Sequence, residues 1–138
     1  MMYRCLIANR GEIAVRIIRA CRELNIETVA IYAKGDENSL HVSLADQAIC
    51  IGEANPLDSY LNIDRIISAA KVTESNAIHP GYGFLSESTN FAKAVEDNHI
   101  HFIGPSKTTM EMMGDKITAR QTVKQAGVPA VSYTHLTL

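Results

Sequence analysis

A chain of 138 residues with 46% hydrophobic and 20% charged side chains fits one globular domain, and at this size folding buries roughly two-thirds of the unfolded surface. Its formal net charge of −2 supplies no basic field, which argues against nucleic acid or an anionic membrane as a partner. No run of about 18 apolar residues occurs, so no membrane span is expected, and Met1-Met2-Tyr3-Arg4-Cys5 lacks the apolar stretch of an export signal. Cys5, Cys21 and Cys50 are odd in number, lack C-x-x-C spacing and sit in apolar stretches. They read as buried reduced thiols, which suits a cytoplasmic protein.

Cys5 to Ala8 and Thr28 to Tyr32 are short β-rich runs, and between them Ile13, Ile17, Cys21 and Leu24 recur at helical spacing, reinforced by Ala14 and Ile18. This is a β-α-β unit. A third apolar run, Ala48 to Ile51, precedes a helical pattern from about Ile63 to Ala70, then a short strand, Ala77 to His79. Phe91, Ala92 and Val95 form another helical face before Ile100 to Ile103. Short strands alternating with helices predict an α/β fold, a Rossmann-like parallel sheet with helices on both faces. Right-handed crossovers then put every β-to-α loop on one edge. Ser106 to Met113 reads as a further helix opened by Pro105, and Asp115 caps another that ends near Gly127.

Ligands of such sheets sit outside the carboxyl ends of the strands. Both Asn9 to Glu12 and Pro80 to Ser86 fall there, so the two segments are expected to be neighbours in space. The second is the richer in signal. In His79-Pro80-Gly81-Tyr82-Gly83-Phe84 two glycines permit φ > 0 and leave main-chain N–H groups uncovered beside one aromatic ring. A small planar ligand could lie close to that backbone. An ordinary strand-to-helix turn, with Ser86 or Ser88 as N-cap, accounts for the same residues. The first segment reads Asn9-Arg10-Gly11-Glu12 and not G-x-G-x-x-G, and Glu12 at a helix start would repel a pyrophosphate, which disfavours a dinucleotide site.

Four strings occur in order: Ile7-Ala8-Asn9-Arg10-Gly11-Glu12-Ile13-Ala14-Val15-Arg16, His79 to Ser88, Phe102-Ile103-Gly104-Pro105 and Met113-Gly114-Asp115-Lys116. Through them, from about Tyr3 to Pro129, the sequence resembles the amino-terminal part of biotin carboxylase, the subunit of acetyl-CoA carboxylase that carboxylates biotin at the expense of ATP. The resemblance implies a pre-ATP-grasp domain over residues 1–104, the helical start of an ATP-grasp region over 105–129, and a tail, 130–138, that departs from the family pattern. That tail reads as foreign or out-of-frame sequence, or as a divergent strand, and 132–138 are expected to be poorly ordered.

By the same resemblance Lys116 contacts ATP; a solvated lysine balanced by Asp115 would be the reading of an isolated Asp-Lys pair, but not within this set of motifs. Tyr82 and Gly83 lie at the edge of the biotin pocket, with Glu87 setting its polarity or serving only as a first-turn glutamate favoured by the helix dipole. Arg16, Arg19 and Glu23 on the first helix are implied dimer-interface residues. As a solvated stripe they would instead form Glu12–Arg16 and Arg19–Glu23 pairs worth roughly 0.2–0.5 kcal/mol each. His79 is given no catalytic role, and His41, His99 and His101 have no metal-ligand spacing. No catalytic residue and no metal ligand of the family has a position in these residues.

The implied reaction activates bicarbonate with ATP and magnesium as carboxyphosphate, then carboxylates biotin held on a biotin carboxyl carrier protein, with carboxyltransferase subunits and a homodimer as further partners. Without the family's lid and metal carboxylates the 138 residues alone are expected to be inactive. Other readings are the same domain of a pyruvate or propionyl-CoA carboxylase, a non-catalytic dimerisation module, and an independent nucleotide-binding domain.

Overall fold

The computed structural model describes residues 3–104. The expected helices at 106–113 and 115–127, Lys116 and the tail 130–138 lie outside the described residues. The elements are β1 Arg4–Ile7, α1 Gly11–Glu23, β2 Glu27–Ala33, α2 Leu40–Leu44, β3 Gln47–Gly52, a 3-10 turn Pro56–Asp58, α3 Ile63–Val72, β4 Ala77–His79, α4 Thr89–Asp97 and β5 His101–Phe102.

The five strands form one sheet in the order β3-β2-β1-β4-β5, every pair parallel. From β1 the chain winds outward to β3, then returns to the other side of β1 with β4, so the order reverses between β1 and β4. That reversal opens a crevice where ligands of doubly wound sheets bind.

Successive strand residues point to opposite faces, and the two faces are covered unequally. Leu6 and Ala8 join Val29, Ile31, Ala33 and Ile78 in the larger cluster, packed by Ile66 and Ala70 of α3 and Phe91, Ala92 and Val95 of α4. Phe91 meets Phe102 edge to face, with ring centroids 6.0 Å apart. On the other face Ile7 packs on Ala14 and Ile18 of α1, with Leu44 of α2 alongside, while Cys5 and Ala77 meet Cys21. Each fully buried Leu, Ile or Phe contributes about 1.5–3 kcal/mol, so the α3–α4 face carries most of the hydrophobic stabilisation.

Two expectations are corrected here. Leu24 does not join the buried stripe of α1 and is 71% exposed, because it caps the helix with φ −92° and ψ 6°. The buried positions are Ala14, Val15, Ile18 and Cys21. Cys50 is exposed, unlike Cys5 and Cys21. It sits on the edge strand β3, opposite in pleat to Ile49 and Ile51, which face the larger cluster.

Helix starts are built from side chains where the sequence offers them. Asn62 accepts from Arg65 N at 3.1 Å and Ser88 accepts from Phe91 N at 3.1 Å, each satisfying a donor the first turn leaves free. Helix stops follow one plan without glycine. Asn25, Glu74 and His99 adopt φ of 58°, 56° and 60°. The N–H groups of Ile26, Ser75 and Ile100 then reach back to the carbonyls of Cys21, Ala70 and Val95 at 2.8, 2.9 and 3.1 Å. This is the Schellman arrangement, and it turns α1, α3 and α4 straight into β2, β4 and β5.

Candidate functional site

Two loops far apart in the chain meet on the carboxyl rim between β1 and β4. The Ala8 amide donates to His79 O at 2.8 Å, extending the pairing of β1 and β4 by one residue. Asn9, only 2% exposed, then turns its side chain across the rim. Its Nδ2 donates to Pro80 O at 2.9 Å and to Tyr82 O at 2.6 Å, while its Oδ1 accepts from Arg10 N at 2.8 Å. Both amide hydrogens and the amide oxygen of this buried group are thereby satisfied.

Gly81 lies between the two bonded carbonyls with φ +66°, and a Cβ there would stand 2.8 Å from Asn9 Nδ2 and 2.8 Å from Ile13 Cγ2. Only glycine combines that backbone with that approach. The Gly81 amide donates to His79 Nδ1 at 3.0 Å, which places the proton of the neutral ring on Nε2. Burial pushes the His79 pKa down, in the direction that keeps Nδ1 an acceptor.

Beyond Gly81 the loop opens. Tyr82 is 51% exposed, and Gly83, with φ +69°, has nothing within 4 Å of where a Cβ would be. Phe84 closes the loop again with φ +47°, its ring stacked on Tyr60 at 5.3 Å and 19°. Tyr60 is fully buried. Its hydroxyl donates to Asp36 Oδ2 at 2.7 Å and accepts from Ala33 N at 3.0 Å. Burial first, then the bond to Asp36, pushes this hydroxyl above the ordinary tyrosine pKa, so it stays a donor. Arg10 joins the group, with Nη1 3.5 Å from Asp36 Oδ2 and its guanidinium carbon 5.7 Å from the Tyr60 ring centroid.

The expected site residues are distributed unevenly. Tyr82 and Gly83 stand together on the rim beside the Asn9-Arg10-Gly11 turn, as the strand order requires. Glu87 is exposed and precedes Ser88, the N-cap of α4, so it is not a first-turn glutamate. Arg16, Arg19 and Glu23 lie exposed along α1, away from the rim. Arg16 Nε is 3.5 Å from Glu12 Oε1, whereas among the described residues no ion pair joins Arg19 to Glu23. Among the described residues no group of three His, Cys, Asp or Glu is placed to hold a metal ion, and no helix is long and apolar enough to cross a membrane.

Sequence reasoning assigned no role to Asn9, Asp36, Tyr60 or Phe84. The available signal was a polar Asn9 directly after an apolar strand, where a side chain must be bonded if it is buried. Clefts of about 490 Å³ run along β3 and α3 and beside β5, and neither is lined by Asn9, Tyr82 or Gly83. The rim is an open shelf suited to the flat side of a small ligand: one exposed aromatic ring beside uncovered backbone.

A family model described as biotin carboxylase, N-terminal domain, matches residues 1–110. Biotin carboxylase 1 of Bacillus subtilis (strain 168) is 58% identical over 131 residues, which cover 95% of this chain and 29% of that protein. Pyruvate carboxylase of the same organism is 52% identical over 129 residues, covering 93% of this chain and 11% of that protein. The dimeric biotin carboxylase domain of Hydrogenobacter thermophilus 2-oxoglutarate carboxylase, solved with MgADP, ADP and bicarbonate, superposes with a TM-score of 0.81 at 52% identity. It is matched over 95% of this chain and 29% of its own.

Proposed function

The chain belongs to the biotin carboxylase N-terminal domain family, and from that premise we propose that it supplies one wall of the site at which a biotin carboxylase loads biotin with carboxylate. It spans about 29% of the length of the biotin carboxylases it matches, so the reaction belongs to a longer assembly. The observation that carries this reading is the junction on the carboxyl rim, where Asn9 bonds the carbonyls on either side of Gly81 and leaves Tyr82 and Gly83 facing outward.

The exposed Tyr82 ring and the open backbone at Gly83 fit the thin bicyclic ring system of biotin, with apolar contact on the ring and main-chain hydrogen bonding at the glycine. ATP with magnesium, when bound, supplies the phosphoryl group that activates bicarbonate. Lys116 is the residue of this chain assigned to its phosphates, and Glu87 sets charge near the biotin edge. The division into residues 1–104, 105–129 and 130–138 stands as part of the proposal. Arg16, Arg19 and Glu23 form a mixed-sign stripe on α1, suited to self-complementary contact across a two-fold axis. The dimeric Hydrogenobacter neighbour supports that use of the stripe. Biotin would arrive on a biotin carboxyl carrier protein and pass its carboxylate to a carboxyltransferase, in the cytoplasmic first half-reaction of fatty acid biosynthesis.

The test joins residues 1–129 to the remainder of Bacillus subtilis biotin carboxylase 1 and measures bicarbonate-dependent ATP cleavage stimulated by free biotin. Activity is expected, and Tyr82→Ala in the chimera should raise the KM for free biotin. A folded, soluble chimera without biotin-stimulated turnover would overturn the proposal.

A further inference from the structure

Tyr82 and Gly83 are strung between two anchored points. On one side a single buried amide holds the carbonyls of Pro80 and Tyr82, two residues apart, so the chain curls around Asn9, and Gly81 has no side chain to obstruct it. On the other side Phe84 takes up a left-handed backbone that an aromatic residue adopts at a cost. Its ring lies flat on Tyr60, which is itself fixed by Asp36 and by the Ala33 amide at the end of β2. The two anchors belong to different parts of the sheet, β1 and the β2 side, and the residues between them are the ones left open.

We propose that Asn9 and Tyr60 are positioning residues that hold the Tyr82-Gly83 arch in its ligand-binding shape before the ligand arrives. The proposal rests on the biotin carboxylase reading given above. Neither residue is required to touch the ligand. A loop already fixed in the bound form loses less conformational freedom on binding, and that saving appears as affinity. Asn9 does this through hydrogen bonds whose geometry no other side chain of similar size reproduces. Asp is isosteric but would set one carboxylate oxygen 2.6–2.9 Å from two carbonyl oxygens.

In the chimera, Asn9→Ala and Asn9→Asp are each expected to raise the KM for free biotin about tenfold, the loss of one to two hydrogen bonds, while the KM for ATP stays within twofold. Hydrogen exchange should quicken at the amides of 82–84 and stay unchanged in β1 and α1. Phe84→Leu, on the exposed side of the stack, should give the same selective pattern and serves if the Asn9 variants do not fold. Uniform loss of protection with all KM values rising together, or an unchanged KM for biotin in folded variants, would overturn the proposal. If the unaltered chimera proves inactive, the carboxylase reading fails, and the exchange at 82–84 in the 138-residue chain still decides whether Asn9 and Phe84 hold the arch.

Discussion

The two ends of the sheet are bridged by the same device to opposite effect. At the amino end Asn76 Oδ1 accepts from Arg4 N at 2.7 Å, and Arg4 goes on to Glu27 at 3.0 Å and to the Thr73 carbonyl. At the carboxyl end Asn9 crosses the same pair of strands. The amino-end partners are strand and helix-end groups, and three helices stop there by one repeated motif, so the end is sealed. The carboxyl-end partners are carbonyls of a loop, and satisfying them turns the next residues outward. A closed end and an open end thus differ in what a bridging amide is bonded to.

The sharpest way to break the contrast is Gly81→Ala, which puts a Cβ in a left-handed backbone and against Asn9 and Ile13. A loss of about 2–4 kcal/mol is expected from strain plus overpacking, read by urea unfolding. A loss below about 0.5 kcal/mol would mean that the loop is not locked on Asn9. Asn76→Ala probes the sealed end; the unpaired Arg4 amide should cost about 1–2 kcal/mol, with no change in hydrogen exchange at 82–84. Glu74→Gly runs the other way. Relief of left-handed strain, partly offset by backbone entropy, should stabilise the chain by up to about 1 kcal/mol, visible as a higher thermal midpoint.

His79 gives the smallest and most specific signal. Its pKa lies below the ordinary 6.5 because burial disfavours the charged ring. The unfolded chain therefore takes up a proton first as pH falls, and stability drops below about pH 6.5 and is intact above it. His79→Gln should flatten that acid limb of the stability profile, measured by urea unfolding at pH 5 to 7 (about the histidine range). An acid limb equally steep in the variant would assign the proton uptake to another group.

Much of the scaffold was legible in sequence, because short apolar runs and helical stripes are produced by burial itself. Strands ending at His79 and starting near Thr28 were placed within a residue or two, and the meeting of the Gly11 and Tyr82 loops followed from parallel order alone. What escaped notice has physical reasons. The helix stops carry Asn25, Glu74 and His99 where the common signal is glycine. The five-residue α2 is too short to show a period. Tyr60 sits in a non-periodic connection between the 3-10 turn and α3, and its importance comes from Asp36 and Phe84, each 24 positions away on either side. Asn9 was read for a glycine pattern it does not belong to, and its real signal was burial.

The place of β1 also dictates an order of assembly. β1 is the middle strand of the sheet, and it can zip to Glu27 after 23 residues but must wait for Asn76, 72 residues downstream, on its other side. Closing so long a span adds little to the equilibrium cost, which grows only logarithmically with length, but it slows the search. Until that second neighbour emerges, half of β1 presents unpaired backbone, and the junction of Asn9 with the 80–82 loop does not yet exist. The carboxyl rim between β1 and β4 is thus completed only after β4 and the loop that follows it have been made.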